Sequence, residues 1–270
     1  MGPTVMAKAS LLLLCLTIFA VSPAKGQAPA SLSLEDLTWT ELRDDINAGK
    51  TTIIVPIGGT EQNGPHMALG KHNVRAKILS ERIARALGNA LVAPVIAYVP
   101  EGSVSAPAGH MRFPGTISVS EEAFEQVLEG AARSFKLHGF HDIVFLGDHG
   151  GTQRGEKIVA DRLNREWAST LVRAHAIEEY YLAGEDEFAK MLIDRGYRAD
   201  EVGKHAGLAD TSLMLAIDPR LVRADRLQSA ANANGVNGDP ARASADLGQL
   251  AVDAIITKTV AAIRKAEARN

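Results

Sequence analysis

Apolar positions along the chain fall into two rhythms. Residues 51–57 (TTIIVPI), 91–99 (LVAPVIAYV), 143–146 (IVFL) and 170–177 are short runs of aliphatic and β-branched residues, as expected of strands buried on both faces. Pro94 marks the second run as an edge or a bulge, because it has no N–H to give to a ladder. Between these runs, apolar residues recur at helical spacing. Helices are predicted over 33–50 (closed by Gly49), 73–87 (stopped by Gly88), 120–138 (capped by Ser120, stopped by Gly139) and 154–167. Three more follow near 185–195, 211–217 and 246–268. Strands alternating with helices, the strands apolar on both faces, predict a layered α/β fold.

One apolar run breaks the pattern. Residues 9–21 follow Lys8 and precede Ser22-Pro23-Ala24, giving the basic start, short apolar stretch and small residues of a secretory signal peptide. The stretch falls short of the roughly 20 residues that span a bilayer. A leader over 1–28, cut after Ala24 or Ala28, is therefore expected, followed by a single domain over 29–270. The expected location is periplasmic or secreted, with no membrane contact once the leader is gone. Leu14 before Cys15 argues against lipoprotein processing, which needs a small residue there.

Composition narrows the function. The 270 residues are 46% hydrophobic and 23% charged, which suits a globular core and excludes disorder. The formal net charge is −3, from 29 basic and 32 acidic residues. A leader ending at Ala28 would take Lys8 and Lys25 and no acid, leaving 27 against 32, or −5. Neither balance suits nucleic acid as the main partner. The lone cysteine, Cys15, lies in the leader, so a disulfide framework and a cysteine zinc site are both excluded.

Candidate chemistry sits where α/β sheets bind ligands, beyond the carboxyl ends of the strands. The first strand runs into GGTEQNGPHMALGKHN, with Glu61, His66 and His72; the third runs into GDHGGT, with Asp148 and His149. The segment GKHAGLADTS adds His205 and Asp210 at a predicted helix start. Imidazoles and carboxylates on such loops are the donors of a divalent-metal hydrolase. Taken singly, each also reads as a cap, a packing residue or a solvated loop acid. Asp148 reads as structural, as do His138, His141 and His175.

The blocks VPIGGTEQNGPHMALGKHN, HMRFPGTISV, IVFLGDHGGT, KHAGLADTSLML and GDPARAS resemble, in order, signature segments of the creatininase (creatinine amidohydrolase) family. That resemblance implies a single three-layer α/β/α sandwich domain around a mostly parallel sheet, often a hexamer, and a metal-dependent hydrolase of C–N amide bonds. Position by position it implies Glu61 and His149 as metal ligands, Asp210 as a further ligand or an orienting group, and His205 as proton shuttle. It also shows departures. Asn63 stands where the family has a histidine ligand, His72 where it has a bridging aspartate, and Gly151 where creatininase itself has a glutamate.

A neutral imidazole offers one lone pair to one ion, whereas a carboxylate can bridge two. The expectation is therefore one divalent ion per subunit, zinc first and manganese or iron as alternatives, on Glu61, His72, His149 and Asp210. Asn63 and His110 are expected at the substrate pocket. The substrate is expected to be a small, possibly cyclic, amide, and the protein a homo-oligomer. Two alternatives stay open: a non-catalytic metal- or solute-binding descendant of the fold, and a lactone or ester hydrolase on the same scaffold.

Overall fold

The computed structural model describes residues 1–2, 31–231 and 233–268. The expected leader therefore lies, apart from its first two residues, outside the described residues. The chain parts into two units, Met1–Ala30 and Ser31–Asn270. In chain order the second unit holds α1 (Trp39–Asn47), β1 (Thr52–Ile57), α2 (Lys71–Leu87), β2 (Ala90–Val92), α3 (Glu121–Leu137), β3 (Asp142–Gly147) and α4 (Gln153–Glu166). It continues with β4 (Arg173–Ala176), α5 (Glu178–Leu182), α6 (Phe188–Asp194), α7 (Ala199–Val202), α8 (Leu208–Ile217) and α9 (Ala245–Glu267).

The strands form one sheet in the order β2-β1-β3-β4, and every pairing is parallel. Alternate residues feed two cores. Ile53, Val55, Ile57, Ile143 and Phe145 pack with α1, α3 and α4, while Ile54, Val144 and Leu146 pack with α2, α5, α6, α8 and α9. This is the predicted α/β/α sandwich. β1 has β2 on one side and β3 on the other, so the strand order reverses beside β1. The crevice outside the β1 and β3 carboxyl ends is thus the place for a ligand.

Several boundaries differ from the sequence reading. The helix expected over 33–50 starts only at α1, because the Thr38 side chain and Glu41 form a capping box that stops the helix from running back through Leu37. Of the strand expected over 91–99, only Leu91 and Val92 pair within β2, and a single bridge follows at Ile96, with Pro94 lying in the gap. The helix expected from 185 begins at Glu178 and passes through a π-turn at Ala183–Glu187. Most consequential, α2 starts at Lys71 rather than 73, with Gly70 as N-cap. Lys71, His72 and Arg75 therefore share its first turns.

Candidate metal centre

The loop after β1 turns Glu61 inward, where it is 1% exposed. The loop is tied to α2 by Asn73, whose Oδ1 accepts from Gly59 N–H and whose Nδ2 donates to Thr60 Oγ1. Gly58 must be glycine, because a Cβ there would lie 2.8 Å from the Asn73 Cα. Glu61 Oε1 receives His72 Nε2 at 2.9 Å, and Oε2 lies 3.5 Å from His149 Nε2 and 3.4 Å from His110 Nε2. Burial alone would raise this carboxyl, but His149, His72 and the Lys71 charge hold it well below the usual range. Oε2 is buried without a hydrogen-bond partner.

His72 sits between two acids. Its Nδ1–H donates to Asp148 Oδ2 at 2.6 Å, which aims Nε2 at Glu61. A carboxylate behind a histidine is the usual device for orienting a metal ligand. Asp148 is held in turn by Arg75 Nε (2.9 Å) and the Tyr180 hydroxyl (2.9 Å). Its expected structural role thus has definite content, that of positioning His72. Burial and Lys71 lower the His72 pKa, yet Asp148 and Glu61 outweigh them and raise it.

His149, at the β3 carboxyl end, accepts Gly151 N–H at Nδ1 (3.2 Å) and turns Nε2 to Glu61. Burial pushes its pKa down, which keeps the ring neutral and ligand-competent. His205 Nε2 lies 2.9 Å from the Gln62 carbonyl, while Nδ1 faces Glu61 Oε1 at 3.7 Å. Its ring tilts against His110 with centroids 4.4 Å apart. Burial, then the Lys71 charge, brings His205 down to about 4. Among the described residues, two groups of side chains place ligand atoms within 4.8 Å of one another: Glu61, His72 and His149, and Glu61, His110 and His205.

Asp210 belongs to neither group, nor does Glu101 of the loop after β2; what revises the expected ligand set is that the Asp210 oxygens are already claimed. Its Oδ1 accepts from Arg75 (2.6 Å), and its Oδ2 from Ala206 N–H (2.8 Å) and from the Lys71 ammonium. Against the cost of burial, Lys71 and Arg75 hold it well below the usual carboxylate range. Asn63, expected at the substrate pocket, is instead a fully buried brace donating to the Glu61 and Ala68 carbonyls. His110 does line the cleft, as expected. His66 points away and pairs with Thr211.

Three residues escaped the sequence reading. Lys71 is 2% exposed, with Nζ 3.9 Å from Glu61 Oε1 and in contact with Asp210. Arg75 is equally buried. The Glu101 side chain is 0% exposed and lies 3.2 Å from His149 Nε2. Burial, then the Glu61 charge, pushes Glu101 up to about 8. The period of α2 would have paired Lys71 with Arg75 had its start been placed at Gly70. Nothing marks Glu101 within a loop rich in Gly, Ser and Pro.

Four sequestered carboxyls, Glu61, Glu101, Asp148 and Asp210, share two fixed cations, Lys71 and Arg75. Burial and the Glu61 charge push Glu101 up to about 8, so it is ionised near neutral pH only if a further cation joins the cluster, as a divalent ion would. The unpartnered Glu61 Oε2 and the neutral His149 ring supply donors of the right kind. The cleft above them encloses about 190 Å³.

Comparison with known proteins shows which family the chain resembles. The family model for creatininase (creatinine amidohydrolase) matches residues 35–263. Creatinine amidohydrolase of Pseudomonas putida is 25% identical over 205 residues, covering 73% of this chain and 76% of that protein. The mycofactocin precursor peptide peptidase of Mycobacterium tuberculosis is 29% identical over 237 residues (77% and 83%). The 3-dehydro-scyllo-inosose hydrolase of Thermotoga maritima is 25% identical over 198 residues (73% and 59%). A manganese form of creatininase superposes with a TM-score of 0.68 at 25% identity, covering 87% of this chain and 98% of that one.

Proposed function

Because this chain belongs to the creatininase family, we propose that it hydrolyses a C–N bond of a small, possibly cyclic, amide with one divalent ion held by Glu61, His72 and His149. The convergence of these three residues at the carboxyl ends of β1 and β3, around a buried carboxylate oxygen with no partner, supports the reading. When bound, such an ion acts as a Lewis acid on water and on the scissile carbonyl. For His149 to hold the ion through Nε2, its ring proton would have to sit on Nδ1, in place of the Gly151 N–H contact. His205 is neutral and presents Nδ1 toward Glu61, so it takes the proton of the attacking water there and returns it to the leaving nitrogen. The cleft encloses about 190 Å³ and shares His110, Lys204 and His205 with an adjoining cavity of about 360 Å³, which together leave room for a small amide.

Lys71 explains why one ion suffices. Its ammonium stands between Glu61 and Asp210, so a second divalent ion there would meet a fixed positive charge. Zinc is the first choice of metal, with manganese or iron as alternatives. The proposal also includes export through the leader and assembly into a homo-oligomer, to be checked by N-terminal sequencing of the mature protein and by light scattering.

A second reading keeps the hydrolase and changes the bond, since one relative is named for an inosose rather than an amide. Elemental analysis together with a screen of cyclic amides, formamides and lactones tests both. About one ion per chain and amide turnover, both lost in His149→Ala, are expected. Turnover confined to lactones would favour the second reading. A metal-free, inactive wild type would favour the non-catalytic descendant.

A further inference from the structure

Glu101 stands on the loop between β2 and α3, outside every motif the sequence offers. Its side chain is 0% exposed, and neither carboxylate oxygen has a hydrogen-bond partner. Leaving such a group buried is costly, so a partner is called for.

The surroundings show where the carboxylate is aimed. Oε2 lies 3.2 Å from His149 Nε2, and the same nitrogen lies 3.5 Å from Glu61 Oε2. Three buried carboxylate oxygens without hydrogen bonds, one on Glu61 and two on Glu101, thus gather at one imidazole. Room has been left for them. A Cβ on Gly59 would come within 2.8 Å of Glu101 Oε1, and one on Gly151 within 3.0 Å of the Pro100 carbonyl.

The backbone is fixed as well. The Glu101 and Gly102 N–H groups both donate to Ser118 Oγ, which donates back to the Gly102 carbonyl at 2.7 Å. On either side of Ser118, Ile117 N–H reaches the Thr60 carbonyl and Val119 N–H the Val99 carbonyl. Glu101 is therefore held against the loop that carries Glu61.

We propose that Glu101 is a further protein ligand of the cation centre, completing with Glu61, His72 and His149 a seat of two imidazoles and two carboxylates for one divalent ion. The proposal rests on the metal-dependent reading above. Its chemistry is consistent: two nitrogen and two carboxylate donors suit Zn²⁺, Mn²⁺ or Fe²⁺.

Binding, rather than turnover, tests it. Metal-free wild type and Glu101→Gln are titrated with Zn²⁺ against a chromophoric chelator, and Mn²⁺ binding is followed by electron paramagnetic resonance. The wild type is expected to take up one ion, and Glu101→Gln to bind it more weakly by at least the roughly 10- to 100-fold that outer partners of metal ligands cost. The metal-free variant should unfold at or above the wild-type temperature, because a neutral amide of the same shape replaces a buried carboxyl that has no hydrogen-bond partner. Should Glu101→Gln fail to fold, Glu101→Asp, which keeps the charge but withdraws it by one methylene, must show the same weakening. Equal affinity in a folded variant overturns the role of Glu101 and leaves the metal-dependent reading standing. A wild type that binds no ion overturns that reading, and the proposal with it.

Discussion

Replacing Lys71 by methionine removes a buried ammonium with little change in volume. At the observed 3.9 Å, the Lys71–Glu61 attraction alone is about 4 kcal/mol at the effective dielectric near 20 that suits protein sites. The closer contact with Asp210 adds to it, while the desolvation of Lys71, no longer incurred, offsets part. The net loss for one partner of a buried pair is about 3–5 kcal/mol. At roughly 2–4 °C per kcal/mol for a domain of this size, the midpoint of the metal-free protein should fall by about 6–20 °C. Calorimetry of chelator-treated wild type, Lys71→Met and Lys71→Arg measures this, with the arginine variant expected in between. Added Zn²⁺ should recover more of the midpoint in Lys71→Met than in wild type, since a divalent ion can then enter beside Asp210. A metal-free Lys71→Met midpoint within about 2 °C of wild type, under 1 kcal/mol on that scale, would refute the view that this ammonium is a required countercharge.

Further outcomes follow from the same reasoning. Burial lifts the Glu156 carboxyl from 4.5 to about 7, against hydrogen bonds from Thr152 and the Gly147 backbone. Between those values the unfolded chain loses its proton first, so stability falls as pH rises, by about 3 kcal/mol in all. Glu156→Gln should abolish that slope and unfold later than wild type at pH 8; an unchanged slope in urea titrations at pH 5 and pH 8 counts against the assignment. Asn63→His with His72→Asp, the pair that resemblance suggests would restore a second ion, should raise the metal count toward two only when Lys71 is also neutralised. Two ions already present in the double variant would contradict this. Gly248→Ala gains about 1 kcal/mol of helix propensity, but its Cβ would lie 1.9 Å from the Ser212 carbonyl where α8 crosses α9. Overpacking costs about 1–3 kcal/mol, so a net loss in chemical denaturation is expected, and a gain would show that the helices can part freely.

The layered fold was legible because β1 and β3 are buried on both faces and spell it out in continuous apolar runs. Glu61 and His149 were legible for a related reason: each follows such a strand directly, where an α/β sheet presents ligands. His72 was found but placed in a loop, because Lys71 and His72 look like solvent-facing polar residues until tertiary contacts bury them. That same misplacement hid Lys71 and Arg75 as a pair on one helix. Asp210 seemed free to bind metal because sequence spacing cannot show that two cations from a distant helix already claim its oxygens. Glu101 was beyond reach for a different reason: its loop has no periodicity, and its position comes from Ser118 and the two glycines that make room for it.

The crowding of Lys71, His72 and Arg75 onto the first turns of α2 also bears on how such a centre can change during descent. Each charge there answers another across the sheet or on α8, so a lone substitution strands a partner in the interior, at a cost comparable to much of a domain's net stability. Change must then come in concert. Across relatives of this chain, positions 71, 75 and 210 are expected to vary together, and loss of the lysine at 71 to coincide with a carboxylate at 72. The identity of residue 71 alone would then report how many ions a family member carries.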